Sequence, residues 1–564
     1  MDSTLNKVSF WVTLMVAFTL CVSVLGMVGA FLLGLFLSQS IHAQSKPALV
    51  VVIVIDGLPQ EQVLKYKDQF GQGGFARLLT DGAWYGDAHH GHAVTLTAPG
   101  HATVLTGTYP YRTGIIANEW IDRSTLEQVY NTGDPAHTYI GEETKKLDGT
   151  SPMRLRVSTV GDELKYATGG AAKVVTVSGK DRGAILLAGK RGTAYMYMDK
   201  SGRFASTTYY MKAHPEWHDK FYASRPQDKW AGQSWPLLHA ESAYTRSMAE
   251  GQPWQSNLMG MGTKFPFQLP SSGPSYYAAM LRTPYGDEAT LDFARAAIEG
   301  ESLGRNPSGA TDLLGISLST HDYINHSFGP ESRVSHDHLL RVDRLLAGFF
   351  SYLDQRMGAN KYVVALTADH GFMNAPEYSK AISVPGERMN SAALMKELNA
   401  SLSKRFKVEG NLAAKFSYPT IILDQSLIAK HSLSQTEVEL AAQTFLQSYA
   451  GIAVVYTRTQ LEAGTLPDNA FKLQVLRAWN RDLSGDLYVI FQPGNMMGSN
   501  VATHGSPWTY DTNVPLILYG KPWIKSGKRA ERALVADIAP TLSWLLEIRF
   551  PNGSEGRVLA ESLK

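Results

Sequence analysis

Four short runs of apolar, mostly β-branched residues each break off into a polar cluster, and this repeated pattern constrains the fold more than any other feature. The runs are Ala48 to Ile55 before Asp56-Gly57, Lys173 to Val177 before Lys180-Asp181-Arg182, Leu313 to Leu318 before His321-Asp322, and Tyr362 to Leu366 before Asp369-His370. A continuous apolar run of strand length belongs in a sheet covered on both faces, the environment of a parallel strand. Amphipathic patterns lie between the runs. The clearest sets Leu339, Val342, Leu346, Phe349 and Leu353 at alternating spacings of three and four, so that one stripe of a helix packs on the sheet. The expected fold class is α/β, with a mostly parallel central sheet flanked by helices. In open sheets of this kind ligands bind beyond the carboxyl ends of the strands, where the four polar clusters are expected to gather.

Two segments interrupt the α/β rhythm. Residues 198 to about 285 hold Trp217, Trp230, Trp235 and Trp254 with Tyr209, Tyr210, Tyr276 and Tyr277, and residues 375 to about 485 hold the strand-like run Thr420 to Leu423 and a helical pattern around Glu437 to Tyr449. Both read as insertions capping one catalytic domain over 46–564, and the aromatics read most simply as packing a satellite core. With 564 residues, 44% of them hydrophobic, the chain has ample material for a core, which excludes a disordered polymer. Lys+Arg 53 against Asp+Glu 51 leaves a formal charge of +2. Nothing global attracts nucleic acid or an anionic surface, so no nucleic-acid partner is expected and an anionic ligand must be held by a local site.

The single cysteine, Cys21, lies inside an apolar N-terminal stretch, so the rest of the chain has no disulfide, thiolate ligand or cysteine nucleophile. That stretch runs from Val8 to Leu37 without a charge, and Ile41-His42-Ala43 follows it. Its length suits a membrane anchor through residues 8–37, whereas the small residue at 43 suits a signal-peptidase site. Residues 1–45 are therefore expected to be a signal peptide or an N-terminal membrane anchor. Either one exports the remainder, to the periplasm or beyond.

The clusters supply Asp56, Asp322, His326, Asp369 and His370. Oxygen and imidazole ligands without thiolate suit zinc in a catalytic site, or manganese, and a set this rich in carboxylates can hold two ions. One Asp-His pair after a strand is commonly a solvated loop; the weight comes from several such pairs converging. The segment from Thr95 to Gly107 reads as a loop entering a helix, with Pro99 near its first turn. A hydroxyl there sits where helix N–H groups favour negative charge, which suits both a nucleophilic oxygen and a bound phosphate.

Five ordered motifs resemble a known family. They are Val54-Ile55-Asp56-Gly57, Thr97-Ala98-Pro99-Gly100-His101 followed by Thr106 to Asn118, Asp322-x3-His326-x2-Gly329-Pro330, Thr367-Ala368-Asp369-His370-Gly371 and Thr503-His504-Gly505. The chain resembles the alkaline phosphatase superfamily in its nucleotide pyrophosphatase/phosphodiesterase-like branch. The resemblance implies two Zn2+ per chain. Asp322, His326 and His504 would hold one ion, and Asp56, Asp369 and His370 the other, with Thr97 beside it as ligand and nucleophile. Within the branch, Lys180-Asp181-Arg182 resembles the Lys-x-Arg of the phosphate-irrepressible alkaline phosphatases, whose nucleophile is a threonine. That implies a monomeric enzyme for small phosphate monoesters, with Asn118, Lys180 and Arg182 holding the nonbridging oxygens. A transferring monoester carries charge on oxygens that a diester has esterified, so more cationic donors suit it, a point charge and a fork alike. The rival is a phosphodiesterase or nucleotide pyrophosphatase on the same metal site; a sulfatase is disfavoured by threonine at position 97. No role is assigned to His89-His90-Gly91-His92 or to Trp120.

Overall fold

The computed structural model describes Met15 and residues 46–564, so the expected signal peptide or anchor lies, but for Met15, outside the described residues. The chain divides into two compact units, Met1–Lys46 and Pro47–Lys564, and the second carries all that follows. Among the described residues no helix is long and apolar enough to cross a membrane.

In chain order the strands used below are β1 (Leu49–Ile55), β2 (Ala83–Tyr85), β3 (Val174–Ser178), β4 (Thr193–Tyr197), β5 (Phe204–Ala205), β6 (Asp312–Leu318), β7 (Tyr362–Thr367), β8 (Ala413–Ser417), β9 (Thr420–Leu423), β10 (Ile452–Thr457), β11 (Leu487–Phe491), β12 (Leu516–Tyr519) and β13 (Gly527–Arg529). Nine of them form one sheet in the order β13-β2-β12-β7-β1-β6-β3-β4-β5. β1 lies at its heart, parallel to β6 from Leu49↔Asp312 to Ile55↔Leu318 and parallel to β7 from Leu49↔Tyr362 to Val54↔Thr367. β3 and β4 continue the parallel core. β12 runs antiparallel to β7 and β5 antiparallel to β4, so the sheet is mixed toward its edges. Every residue of β1, β6 and β7 is buried, as a run apolar on both faces requires.

The helices are α1 (Thr97–Thr106), α2 (Asp181–Ala188), α3 (Pro284–Glu301), α4 (Thr320–Phe328), α5 (Arg333–Met357), α6 (Ser391–Phe406) and α7 (Gln435–Ser448). The Ser332 side chain caps α5 by accepting from Ser335 N–H, and the stripe Leu339, Val342, Leu346, Phe349 and Leu353 is wholly buried against the sheet.

The aromatics of the first interruption spread over several cores, with Tyr210 packed beside Ile185 and Met196. Trp230, Tyr276 and Tyr277 join the core of the large sheet, while Trp235 and Phe267 pack with Ile324 and Phe328 of α4. The second interruption builds a four-stranded sheet, β8-β9-β11-β10, which with α6 and α7 encloses its own core of Leu398, Ile421, Val438 and Leu487 among others. Its strand β11 lies beyond residue 485.

Candidate active site

The parallel core delivers the polar clusters to one edge. Asp56 directly follows β1, and the chain turns there on Gly57 at φ 71°, where a side chain would meet Asp322 and Phe372 at 3.2 Å. The Gly57 N–H donates to Asp369 Oδ1 at 3.0 Å, tying the end of β1 to the loop after β7. β6 feeds α4, whose Asp322 and His326 stand four residues apart on one helix face, with His326 Nε2 3.3 Å from Asp322 Oδ1. His504 arrives from the loop after the small sheet, and its Nε2 lies 3.4 Å from the same oxygen. Its ring stacks on His370 at 3.4 Å between centroids.

The three imidazoles share one arrangement. His326 Nδ1 meets Ala502 O at 2.9 Å, His370 Nδ1 meets Gly371 O at 2.9 Å, and His504 Nδ1 meets Thr95 O at 2.8 Å. A ring that donates Nδ1–H to a carbonyl keeps the Nε2 lone pair for a metal, the orientation that outer hydrogen bonds impose on ligating histidines. The acceptors facing these rings are unpartnered: Asp56 Oδ1, Asp322 Oδ1 and Asp369 Oδ2 take no hydrogen bond although their residues are buried. Candidate ligand atoms form the groups Asp322-His326-His504, Asp56-Asp322-His370 and Asp56-His101-Asp369, each within 4.8 Å. The donor set fits divalent cations bound by oxygen and imidazole. His89, His90 and His92 belong to none of these groups; His90 Nε2 instead meets Ala368 O at 3.0 Å.

Thr97 opens α1 and is buried beside this cluster. Gly100 explains part of its motif, because a Cβ there would stand 2.1 Å from Asp369 O, so only glycine lets α1 approach the metal-side loop. His101 Nδ1 meets Thr97 O at 2.9 Å and lies 3.2 Å from Asp369 Oδ2, and its Nε2 meets the Ser317 hydroxyl at 2.9 Å. Asn118 accepts the Ala98 N–H through Oδ1 at 2.8 Å, which aims its amide at the first turn of α1. A hairpin of Glu119–Ile121 with Gln128–Tyr130 then returns the chain, so that Asn131 bonds Asn118 O.

Lys180 follows β3, and its ammonium lies 2.9 Å from Asp56 Oδ2 and 2.5 Å from Asp322 Oδ2. It thus touches a carboxylate of each expected metal set. Arg182, in the first turn of α2, donates to the Tyr130 hydroxyl at 3.2 Å, and Tyr130 donates to Asp181 at 2.6 Å. Asp56, Asp322, His326, Asp369, His370, His504 and Lys180 are thus linked at ion-pair distances, and Thr97, Asn118 and Arg182, the other three residues expected at the site, stand on adjoining segments. Three neighbours went unassigned in the sequence. Tyr130 and Tyr323 carry no local signature, whereas the i,i+4 spacing of Thr97 and His101 is a signal that they share a helix face.

The cluster's own charges are unbalanced. Burial and neighbouring Asp369 push the Asp56 carboxyl above its usual range. Burial acts the same way on Asp322, but Lys180, His326 and His504 overcome it and hold this carboxyl well below. Burial depresses His370, yet the carboxylates of Asp369, Asp56 and Asp322 raise it to about 9. Burial and neighbouring His370 drop His504 to about 3. Three buried carboxylates against the Lys180 ammonium and the His370 imidazolium leave an excess of negative charge that cations relieve.

The family described as type I phosphodiesterase/nucleotide pyrophosphatase matches residues 50–504. Alkaline phosphatase PhoV of Synechococcus elongatus is 34% identical over 92% of this chain and 94% of its own, and a protein of Myroides odoratus named calcium-transporting ATPase is 34% identical over 92% and 95%. Alkaline phosphatase PafA of Elizabethkingia meningoseptica is 33% identical over 94% and 96%. A crystal structure of PafA superposes with a TM-score of 0.85, covering 92% of this chain and 99% of that one. With its ordered motifs, sheet and polar edge, the chain belongs to the type I phosphodiesterase/nucleotide pyrophosphatase family of the alkaline phosphatase superfamily.

Proposed function

We propose that the chain is an exported, zinc-dependent alkaline phosphatase that converts phosphate monoesters to inorganic phosphate and an alcohol through a phosphothreonine at Thr97. The observation that carries this reading is the position of Lys180. Its buried ammonium contacts Asp56 and Asp322, between the two candidate metal groups, and Arg182 flanks the same edge. Cationic donors at that point match the extra charge of a monoester, and a diester has less charge there to neutralise. Relatives named alkaline phosphatases along nearly their whole length support the same substrate class.

Asp322, His326 and His504 would hold one zinc ion and Asp56, Asp369 and His370 the other, and the pair would supply Lewis acidity favouring an ionised nucleophile and a neutralised leaving oxygen. The chain's own residues do the rest. Thr97 Oγ1, at the N-terminus of α1, gives up its proton to solvent and forms a bond to phosphorus as the ester P–O bond breaks, and the leaving oxygen takes a proton from solvent to depart as the alcohol. Water then attacks phosphorus, the Thr97 O–P bond breaks, and phosphate leaves. Asn118 spends its carbonyl oxygen on Ala98 N–H, so its amino group is the end that meets a phosphoryl oxygen. Lys180 and Arg182 hold the remaining oxygens, and His101 fixes the first turn of α1 against Ser317 and Asp369. Positioning and electrostatics carry the catalysis, as a loose transition state requires.

The same reading takes residues 1–45 as the export signal or anchor and 46–564 as one monomeric catalytic domain, with the segments at about 198–285 and 375–485 as caps. Monoester, diester and sulfate ester turnover on one zinc-replete preparation tests the function. Monoesters should lead by orders of magnitude, elemental analysis should find two zinc ions per chain, and acid trapping should place phosphate on Thr97. A diester preference, or fully active protein with one ion or none, overturns the reading.

A further inference from the structure

The cavity beside the proposed phosphoryl site contains a cation that the chemistry above does not use. Arg282 lies between the helix Gly273–Met280 and α3, and it lines a cavity of about 290 Å3 with Lys180, Arg182 and Tyr323. Its guanidinium carbon stands 4.6 Å from the centre of the Tyr323 ring, and the Lys180 ammonium stands 4.9 Å from the same ring. One phenol therefore joins the outer cation to the inner one. A guanidinium laid on an aromatic ring is held by its face and keeps its edge for oxyanions.

Arg282 differs from its neighbours in how it is engaged. Lys180 is paired with two carboxylates, and Arg182 is bonded to Tyr130. Arg282 donates from Nη1 to Ala278 O at 2.8 Å and has no ion-pair partner among the described residues. Five carboxylates line the cavity, and four are occupied elsewhere: Glu143 by Lys200, Glu142 by the Ser201 hydroxyl at 2.7 Å, Asp148 by Lys145 N–H at 2.7 Å, and Asp181 by the Tyr130 hydroxyl and Gly149 N–H; the fifth, Asp199, forms no ion pair with Arg282.

The loop bearing Arg282 is anchored by the helix that bears Asp322. Thr320 Oγ1 donates to Leu281 O at 3.1 Å, and Thr320 N–H donates to Asp287 of α3 at 3.2 Å. Leu281 also packs so close to Gly179 that a Cβ there would lie 2.6 Å from Leu281 Cδ1. Arg282 is thus held at a set distance from Lys180 by contacts on both sides of the cavity.

We infer that Arg282 is a specificity-determining residue that receives a second phosphate carried by the leaving alcohol of the substrate. This rests on the phosphomonoesterase reading. Phosphate monoesters whose alcohol bears a further phosphate are then favoured over those of neutral alcohols, because only they bring an oxyanion to the outer cation.

The test uses a matched pair on the zinc-replete enzyme, propane-1,3-diol monophosphate and propane-1,3-diol bisphosphate. In Arg282→Ala the ratio of kcat/KM for bisphosphate over monophosphate should fall about ten-fold relative to wild type, the size of one charge-assisted contact. Arg282→Lys, which keeps charge but loses the fork, should recover part of it. Calorimetric binding of propane-1,3-diylbisphosphonate against propylphosphonate should show the same loss without turnover. Equal losses for both members of the pair, or an unchanged ratio, overturn the inference while wild-type hydrolysis of the monophosphate leaves the phosphomonoesterase reading standing. Failure of wild type to hydrolyse either ester overturns both.

Discussion

Asp337 and Asp56 are equally closed to solvent, yet their surroundings are opposites. Asp337, on α5, accepts from Trp235 Nε1 at 2.8 Å, Leu238 N at 2.7 Å, the Tyr244 hydroxyl at 2.6 Å and Arg341 Nε at 2.7 Å. Asp56 Oδ1 accepts nothing, and the same holds for Asp322 Oδ1 and Asp369 Oδ2 across the sheet edge. Burying a carboxylate costs several kcal/mol unless donors or cations replace its water. At Asp337 the protein supplies those donors from the aromatic-rich segment, so the carboxylate locks that segment to α5. At the sheet edge the Lys180 ammonium and the Gly57 N–H engage one oxygen of each carboxylate, and the other oxygen retains capacity for cations. Saturation, rather than burial, separates a structural carboxylate from a ligand.

The comparison is sharpened most by removing the reacting group without touching either set of carboxylates. Thr97→Ala should lower monoester turnover by at least about three orders of magnitude, since the proposed chemistry makes this side chain a reactant. Zinc content and thermal midpoint should stay near wild type. Near-normal rates in this variant would detach the hydroxyl from the chemistry.

Removing the two cations at the sheet edge should have the next largest effect. In Lys180→Ala/Arg182→Ala, two charge-assisted hydrogen bonds worth roughly 1.5–3 kcal/mol each should lower monoester kcat/KM by about two to four orders of magnitude if they add. Coupling through a shared phosphate changes that sum. Diester kcat/KM should fall much less; equal losses would mean that the pair holds the loop rather than the substrate's charge.

Stability measurements then set the two carboxylates against each other. Asp337→Ala strands four donors, two of them in buried hydrogen bonds and one of them charged, and should cost about 3 kcal/mol in denaturant unfolding. Asp56→Asn, by contrast, removes a carboxylate that its like-charged neighbour Asp369 already destabilises, and should be neutral or stabilising in the metal-free protein while abolishing zinc-dependent stabilisation. A large loss of metal-free stability in Asp56→Asn would break the distinction.

A third buried carboxyl is read out as a slope with pH. Glu331 has both oxygens without a hydrogen-bond partner, and burial raises it to about 8. An acid whose folded pKa exceeds its unfolded value binds more protons when folded, so its neutral form stabilises the fold at low pH. That contribution is lost as pH rises from the unfolded carboxyl range through about 8. Glu331→Gln should therefore gain on wild type across this window by at most about 1.4 kcal/mol per pH unit. A difference that stays flat from pH 5 to 9 would show that Glu331 keeps an ordinary carboxyl pKa.

Much of the fold was legible because its signal is local. The runs at β1, β6 and β7 are apolar on both faces, and the α5 stripe repeats at helical spacing, so periodicity alone reported their surroundings. The edges of the sheet were not legible in this way. β2 and β13 are three residues each, too short to show a period, and the antiparallel direction of β12 depends on its partner β7 rather than on its own four residues. Of the site, the ligand residue types and their motif order stood in the sequence, whereas His101's contacts with Ser317 and Asp369, the Lys180 pairing and the Tyr323 bridge each join residues far apart in the chain.

By itself the sequence determined which chemistry the chain can attempt: oxygen and imidazole ligands, a threonine at a helix start and two adjacent cations, with no thiol outside the N-terminal stretch. Only the tertiary structure decided which of those groups are satisfied. Asp56 and Asp337 are the same residue type and equally buried, and nothing in their local sequence says that four donors converge on one and none on Oδ1 of the other. Hydrogen-bond saturation is set by groups brought from distant segments at contact distance, so it exists only once the sheet, its helices and the insertions have packed.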